Sequence, residues 1–169
     1  MRHFLALLLC CVCGLAQAGE GFTLFGPPAT GSNLRRMIVS NHPVPFDKAY
    51  AELTPEQQQW VRNQYKELGP NDVPPFPRAG LAELYRAAAL VADRIDSGGY
   101  LYLVARVNAE GKAEEIEVYN TPDTLVSRYV GMAMLLEKYT PARCNGVPCA
   151  MEFPFRLNVS RSGLYPNVL

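Results

Sequence analysis

Few side chains in this sequence are able to do covalent or metal chemistry. The chain of 169 residues holds 5 Cys and 2 His, and Cys10, Cys11 and Cys13 sit together near its start. The remaining pair, Cys144 and Cys149, encloses Asn145-Gly146-Val147-Pro148, a stretch suited to a tight hairpin. In an oxidising compartment such a pair forms a structural disulfide. Redox motifs of the thioredoxin kind have two intervening residues, and a zinc-type site needs further ligands. The expectation is therefore a staple across a short loop, at the low end of the roughly 0 to 5 kcal/mol that disulfides contribute. A thiol-disulfide protein using Cys144 and Cys149 is the alternative.

His3 lies beside the early cysteines, which leaves His42 as the histidine of the main chain body. One histidine excludes a two-histidine metal site, and any Ser-His-Asp triad would have to be built around it. Asp93 and Asp96, and Glu114, Glu115 and Glu117, cluster on amphipathic segments and read as solvated faces. A hydrolase pair needs carboxylates set across a cleft. Gly98-Gly99 precedes a strand, whereas a phosphate-binding loop follows one. These residues predict a protein that is not an enzyme and carries no cofactor and no metal.

The elements that would hold these residues begin after a leader. Arg2, the apolar run Phe4 to Leu15, and Ala16-Gln17-Ala18 have the form of a cleaved secretory signal, with the mature chain starting at Gly19. Removing 18 of 169 residues leaves 151. The apolar run is about 12 residues where about 20 are needed to cross a bilayer, so no transmembrane anchor is expected. Cys10, Cys11 and Cys13 follow Leu9, Cys10 and Val12, which is not the lipoprotein pattern. With 16 Lys+Arg against 16 Asp+Glu, there is no basic field to attract nucleic acid, and 49% hydrophobic residues exclude a disordered chain. The expected location is the periplasm.

Residues 19–97 read as an N-terminal loop and helical segment, and residues 98–169 as a second unit. Thr54-Pro55-Glu56-Gln57 offers a capping box with proline at the first helical position, and Trp60, Val61, Gln64, Tyr65 and Leu68 recur at helical spacing before Gly69-Pro70. A rigid Pro-rich connector, Asn71 to Gly80, leads to a second helix from Leu81 to about Ile95. From Tyr100 the period becomes two: Leu101, Leu103, Ala105 and Val107 share one face of a strand. Asn108 to Lys112 forms a hairpin loop in which Gly111 takes the left-handed conformation. A strand from Ala113 to Tyr119 follows, then a helix with Pro122 at its first position, running to about Tyr139. Its expected buried stripe is Leu125, Val126, Tyr129, Val130, Ala133 and Leu136, with Met132 and Met134 also in the core. Met151, Phe153, Phe155, Leu157 and Val159 alternate with Glu152, Pro154, Arg156 and Asn158 in a third strand. Pro154 cannot donate to a sheet ladder, so its strand should have one side free, which predicts an edge strand. The fold class is α+β: a three-stranded antiparallel sheet with a packed helix, in the order strand, strand, helix, strand, preceded by two helices.

From Gly98 to Val159 this order resembles the C-terminal domain of the energy transducer TonB. The residues that carry the resemblance are LYLVARV, the turn NAEGK, AEEIEVY, a helix ending LLEKY, and then TPARCNGVPC and MEFPFRLNV. The resemblance covers 62 of the 151 mature residues and implies a domain that takes a partner's peptide by strand addition. Here the implied edge is Met151, Glu152, Phe153, Pro154, Phe155 and Arg156, and the implied partner an envelope or outer-membrane protein. The family's N-terminal transmembrane helix and long Pro-rich spacer have no counterpart, so energy transduction by this chain alone is not expected. A structural, self-associating envelope protein or homodimer is a further reading.

Overall fold

Alternation of apolar side chains over residues 99–107 builds the central strand, and the rest of the fold is arranged about it. The computed structural model describes residues 22–24, 33–34, 43–95, 98–160 and 163–165. The proposed leader, its cleavage site and His42 lie outside the described residues. In chain order the elements are β1 (Phe22–Leu24), α1 (Pro55–Arg62), β2 (Phe76–Pro77), α2 (Ala82–Ala92), β3 (Gly99–Val107), β4 (Ala113–Asn120), α3 (Thr124–Leu136), β5 (Tyr139–Thr140), β6 (Ala142–Cys144), β7 (Val147–Cys149), β8 (Met151–Ser160) and β9 (Gly163–Tyr165). A 3-10 turn spans Tyr50–Glu52.

The protein is α+β, with three helices and antiparallel sheets among the described residues. The three expected strands are antiparallel neighbours in the order β4-β3-β8, and β3 pairs with β8 without a slip from Gly99↔Val159 to Val107↔Met151. Two short strands extend this sheet to five: β1 adds in parallel to β4, and β9 pairs with the end of β8 at Asn158, Val159 and Ser160. The expected edge strand is thereby corrected: β8 lies between β3 and β9, and because proline demands a free side only at its own position, a partner beyond residue 157 is compatible with Pro154.

α2 and α3 pack on one another against one face of the sheet. There the side chains of β3 and β8 with odd numbers, including Leu101, Leu103, Phe153, Phe155 and Leu157, join Leu84, Val91, Val130 and Met134 in a core that also takes in Val44, Leu53 and Val61 from the N-terminal segment. That segment and the sheet therefore share one hydrophobic interior. The opposite face carries a smaller cluster of Leu34, Tyr65 and Val104.

Local chemistry explains the element ends. The Thr54 hydroxyl accepts from the Gln57 amide at 3.3 Å and the Gln57 side chain accepts from the Thr54 amide at 2.9 Å, closing the expected capping box. The first helix is shorter than its apolar periodicity predicts: it stops at Arg62, and Gln64, Tyr65 and Leu68 follow outside it. Turn bonds from Gln64 to Val61 and from Tyr65 to Arg62 then redirect the chain so that Tyr65 bridges Leu34. α2 lacks a side-chain cap, and the Phe46 carbonyl takes its place, accepting from Leu81 at 2.6 Å and Ala82 at 2.9 Å. In the third helix Asp123, not the residue before Pro122, is the N-cap, with its carboxylate accepting from the Leu125 amide at 2.7 Å. Pro122 therefore precedes the helix, which ends at Leu136 rather than near Tyr139.

The buried stripe of α3 also differs from expectation. Val126, Ser127, Val130, Gly131 and Met134 face inward, whereas Tyr129, Met132 and Leu136 are exposed. Ser127 and Gly131 are small enough for close packing, and a stripe chosen by apolarity alone passes over them. Tyr139 begins β5 and is fully buried, its hydroxyl donating to the Met134 carbonyl at 2.9 Å. The connector contributes a strand of its own, with Phe76 and Pro77 paired to Thr140 and Tyr139. Gly111 has φ 82°, and a Cβ there would stand 2.2 Å from the Tyr139 carbonyl oxygen.

Candidate functional site

The outer side of β8 from Met151 to Leu157 has no strand beside it among the described residues, because β9 reaches only Asn158 to Ser160. Side chains from α1 and the residues after it meet this edge instead. The Tyr65 hydroxyl donates to the Glu152 carbonyl at 2.8 Å. That bond shows which way the ladder alternates: the backbone groups of Glu152 point away from β3, and those of Pro154 and Arg156 share the orientation. Pro154 thus falls where no donor is needed by β3. Burial pushes the Tyr65 phenol well above its ordinary value of 10.0, with the Arg156 charge opposing the shift, so it stays a neutral donor.

The expected site residues divide by face. Phe153 and Phe155, each 3% exposed, point into the core. Phe153 meets Phe76 edge-on at 6.0 Å and Tyr139 at 5.3 Å, and Phe155 meets Tyr85 edge-on at 5.5 Å. Pro154 is buried opposite Val104, and Met151 and Glu152 are half-buried. Arg156 is only 5% exposed yet charged. Its guanidinium donates to the Gln64 side-chain oxygen at 2.8 Å and to the Tyr102 hydroxyl at 2.9 Å, and lies 4.2 Å from the centre of the Tyr102 ring.

Around Arg156 the polar face of the sheet is aromatic and acidic. Tyr102 stacks on Tyr119 at 5.0 Å, and Tyr100 lies 6.5 Å from Tyr102. Burial raises the phenols of Tyr100 and Tyr102, and Arg156 partly offsets both shifts. The Tyr119 hydroxyl donates to Glu117, while Arg106 reaches Glu115 at 3.8 Å and Glu117 at 4.0 Å. The cavity behind the edge, lined by Trp60, Gln64, Tyr65, Phe153 and Arg156 among others, measures about 20 Å³, room for one water and no larger ligand.

Cys144 and Cys149 form a disulfide across the β6–β7 hairpin, with Cα atoms 5.9 Å apart. The hairpin turns at Asn145 (φ 51°) and Gly146 (φ 84°), the left-handed pair that a type I′ turn requires. It is anchored to the residues after α1: the Asn145 amide donates to the Asp72 carboxylate at 2.8 Å, and Val73 and Arg143 exchange backbone bonds of 2.8 Å each. Asp72 also accepts from the Gly69 amide at 2.8 Å, and these two backbone donors hold its carboxyl below the usual value of 3.8. Arg62 donates to the carbonyls of Gly69, at 2.7 Å, and Asp72.

A separate groove of about 520 Å³ runs between α2 and α3, where Leu90 is 60% and Leu136 74% exposed. Among the described residues no three His, Cys, Asp or Glu side chains are grouped to hold a metal ion, and no helix is long and apolar enough to cross a membrane. Sequence reasoning overlooked Gln64, Tyr65 and Tyr102 as the surroundings of Arg156. The polar residues alternating with the apolar ones of β3 were the available signal, since Tyr102 pairs with Arg156. No family model matches the chain, and no curated protein matches it.

Proposed function

We propose that this protein is a periplasmic binding module with a TonB C-terminal-like fold, in the order strand, strand, helix, strand, that receives an extended segment of an envelope or outer-membrane protein alongside β8. The observation that carries this reading is the outer side of Met151 to Leu157, which among the described residues is met by side chains rather than by another strand. Pro154, lacking an amide proton, interrupts the ladder that an added strand would make and helps set its register. Phe153 and Phe155 belong to the interior, so recognition rests on the backbone and on the half-buried Met151 and Glu152. α1 must move aside for the partner to enter. In this reading the module binds its partner and is not an energy transducer by itself.

A photo-crosslinking residue placed at Glu152 tests this in envelope preparations. The expected result is a crosslink to one envelope protein through an extended segment, strengthened in Tyr65→Phe, which removes the hydroxyl capping the edge. Crosslinks that form from Leu136 but never from Glu152 would refute it. A second reading, a self-associating envelope protein, draws support from the exposed Leu90 and Leu136. Sedimentation at several concentrations separates the two, because strand addition from another protein leaves the isolated chain monomeric.

A further inference from the structure

We infer that the Cys144–Cys149 disulfide is a redox-sensitive latch on the α1 cover of the β8 edge. The inference rests on the reading of that edge as the docking site and names its regulation. A series of hydrogen bonds and short stretches of backbone joins the two. The disulfide fixes the hairpin whose tip presents the Asn145 amide to Asp72. Asp72 closes the Gly69–Asp72 turn through the Gly69 amide, and the carbonyls of that turn receive the Arg62 guanidinium at the end of α1. Two and three residues past Arg62, Gln64 and Tyr65 hold Arg156 and Glu152 of β8.

The bond is placed to be reached. Arg143, Asn145, Gly146, Val147 and Pro148 are exposed, and both cysteines are half-exposed. Attack by a dithiol, either a small molecule or a thiol-disulfide oxidoreductase, breaks the Cys144–Cys149 sulfur–sulfur bond. Two electrons and two protons pass to the protein, giving two thiols, and the reductant leaves as its own disulfide. The freed hairpin frays at its tip, Asp72 loses its most distant donor, and the turn that cages Arg62 loosens. α1 then lifts more often from β8, a local opening rather than unfolding of the sheet.

Hydrogen exchange on the full mature chain tests the latch without any partner, so its outcome is independent of whether the partner reading holds. Reduction by dithiothreitol, and the double variant C144S/C149S, are expected to raise exchange about ten-fold in α1, in residues 69–73 and in Met151–Leu157, while β3 and α2 keep their rates. In the oxidised protein Asp72→Ala is expected to reproduce the effect on α1 with the disulfide intact. Acceleration confined to residues 142–149 overturns the latch, as does an equal acceleration across β3 and α2, which would make the bond a general staple. Failure of Asp72→Ala to loosen α1 also overturns it.

Discussion

Replacing Tyr65 with Phe isolates the contact between α1's C-terminal extension and β8. The ring of Tyr65 is 2% exposed and stays buried in the variant, so the apolar contribution is retained. What is lost is one hydroxyl donor, 2.8 Å from the Glu152 carbonyl. A typical intramolecular bond contributes about 1 kcal/mol, and leaving a buried acceptor unmade costs about 1 to 3 kcal/mol. Glu152 is half-buried, so water recovers part of that loss and the expected cost falls near 1.5 kcal/mol. With a urea dependence of about 2 kcal/mol per molar for a domain of this size, the midpoint should fall by about 0.75 M. Exchange of the Met151–Leu157 amides should rise about ten-fold if the loss is local to the edge. An unchanged midpoint together with unchanged exchange would show that Tyr65 does not hold α1 on β8, and the cover would then depend on apolar packing alone.

Phe153→Ser should cost about 3 to 5 kcal/mol, since it empties a core position between Phe76 and Tyr139. Thermal denaturation would show a large fall in Tm, and a Tm unchanged within a degree would contradict the packing. Gly111→Ala should destabilise by about 1 to 3 kcal/mol, because φ is 82° and the new Cβ meets the Tyr139 carbonyl at 2.2 Å. A urea titration in which the variant matches the parent would contradict that turn geometry. Asp72 has a folded pKa below its ordinary 3.8, so the stability it contributes is fully present above 3.8 and is lost as pH falls through the lower folded value. An NMR acid titration should therefore move the Asn145 amide only below pH 3.8, whereas a midpoint above 3.8 would contradict the bond.

Local signals were the legible part of this fold. Thr54 and Gln57 announce the start of α1 from neighbouring residues, and the period of two in residues 99–107 and 151–159 fixes both the strands and the face that enters the core. Non-local contacts were not legible. Tyr65 leaves its helical spacing to cap a carbonyl 87 residues away, and Ser127 and Gly131 occupy buried positions of α3 where apolar periodicity expects Tyr129 and Leu136 instead. Pro154 leads to the expectation of an edge strand, whereas β9 pairs with the far end of β8, and nothing local in Pro55 to Arg62 states which strand the helix will meet. The resemblance implies a recognition edge that includes Phe153 and Phe155, whereas their parity within the period of two places both side chains in the core.

The unbroken pairing of β3 with β8 bears on how the chain assembles. β3 and β4 are joined by a short loop, whereas the β3–β8 register joins residues 44 to 60 positions apart, from Val107↔Met151 to Gly99↔Val159. Closing the larger loop carries the greater entropy cost, so the local hairpin is expected to form first and β8 to dock late. During that interval the long apolar edge of β3 stands open, and at high concentration it is the surface on which nascent chains would pair with one another instead of with their own last long strand.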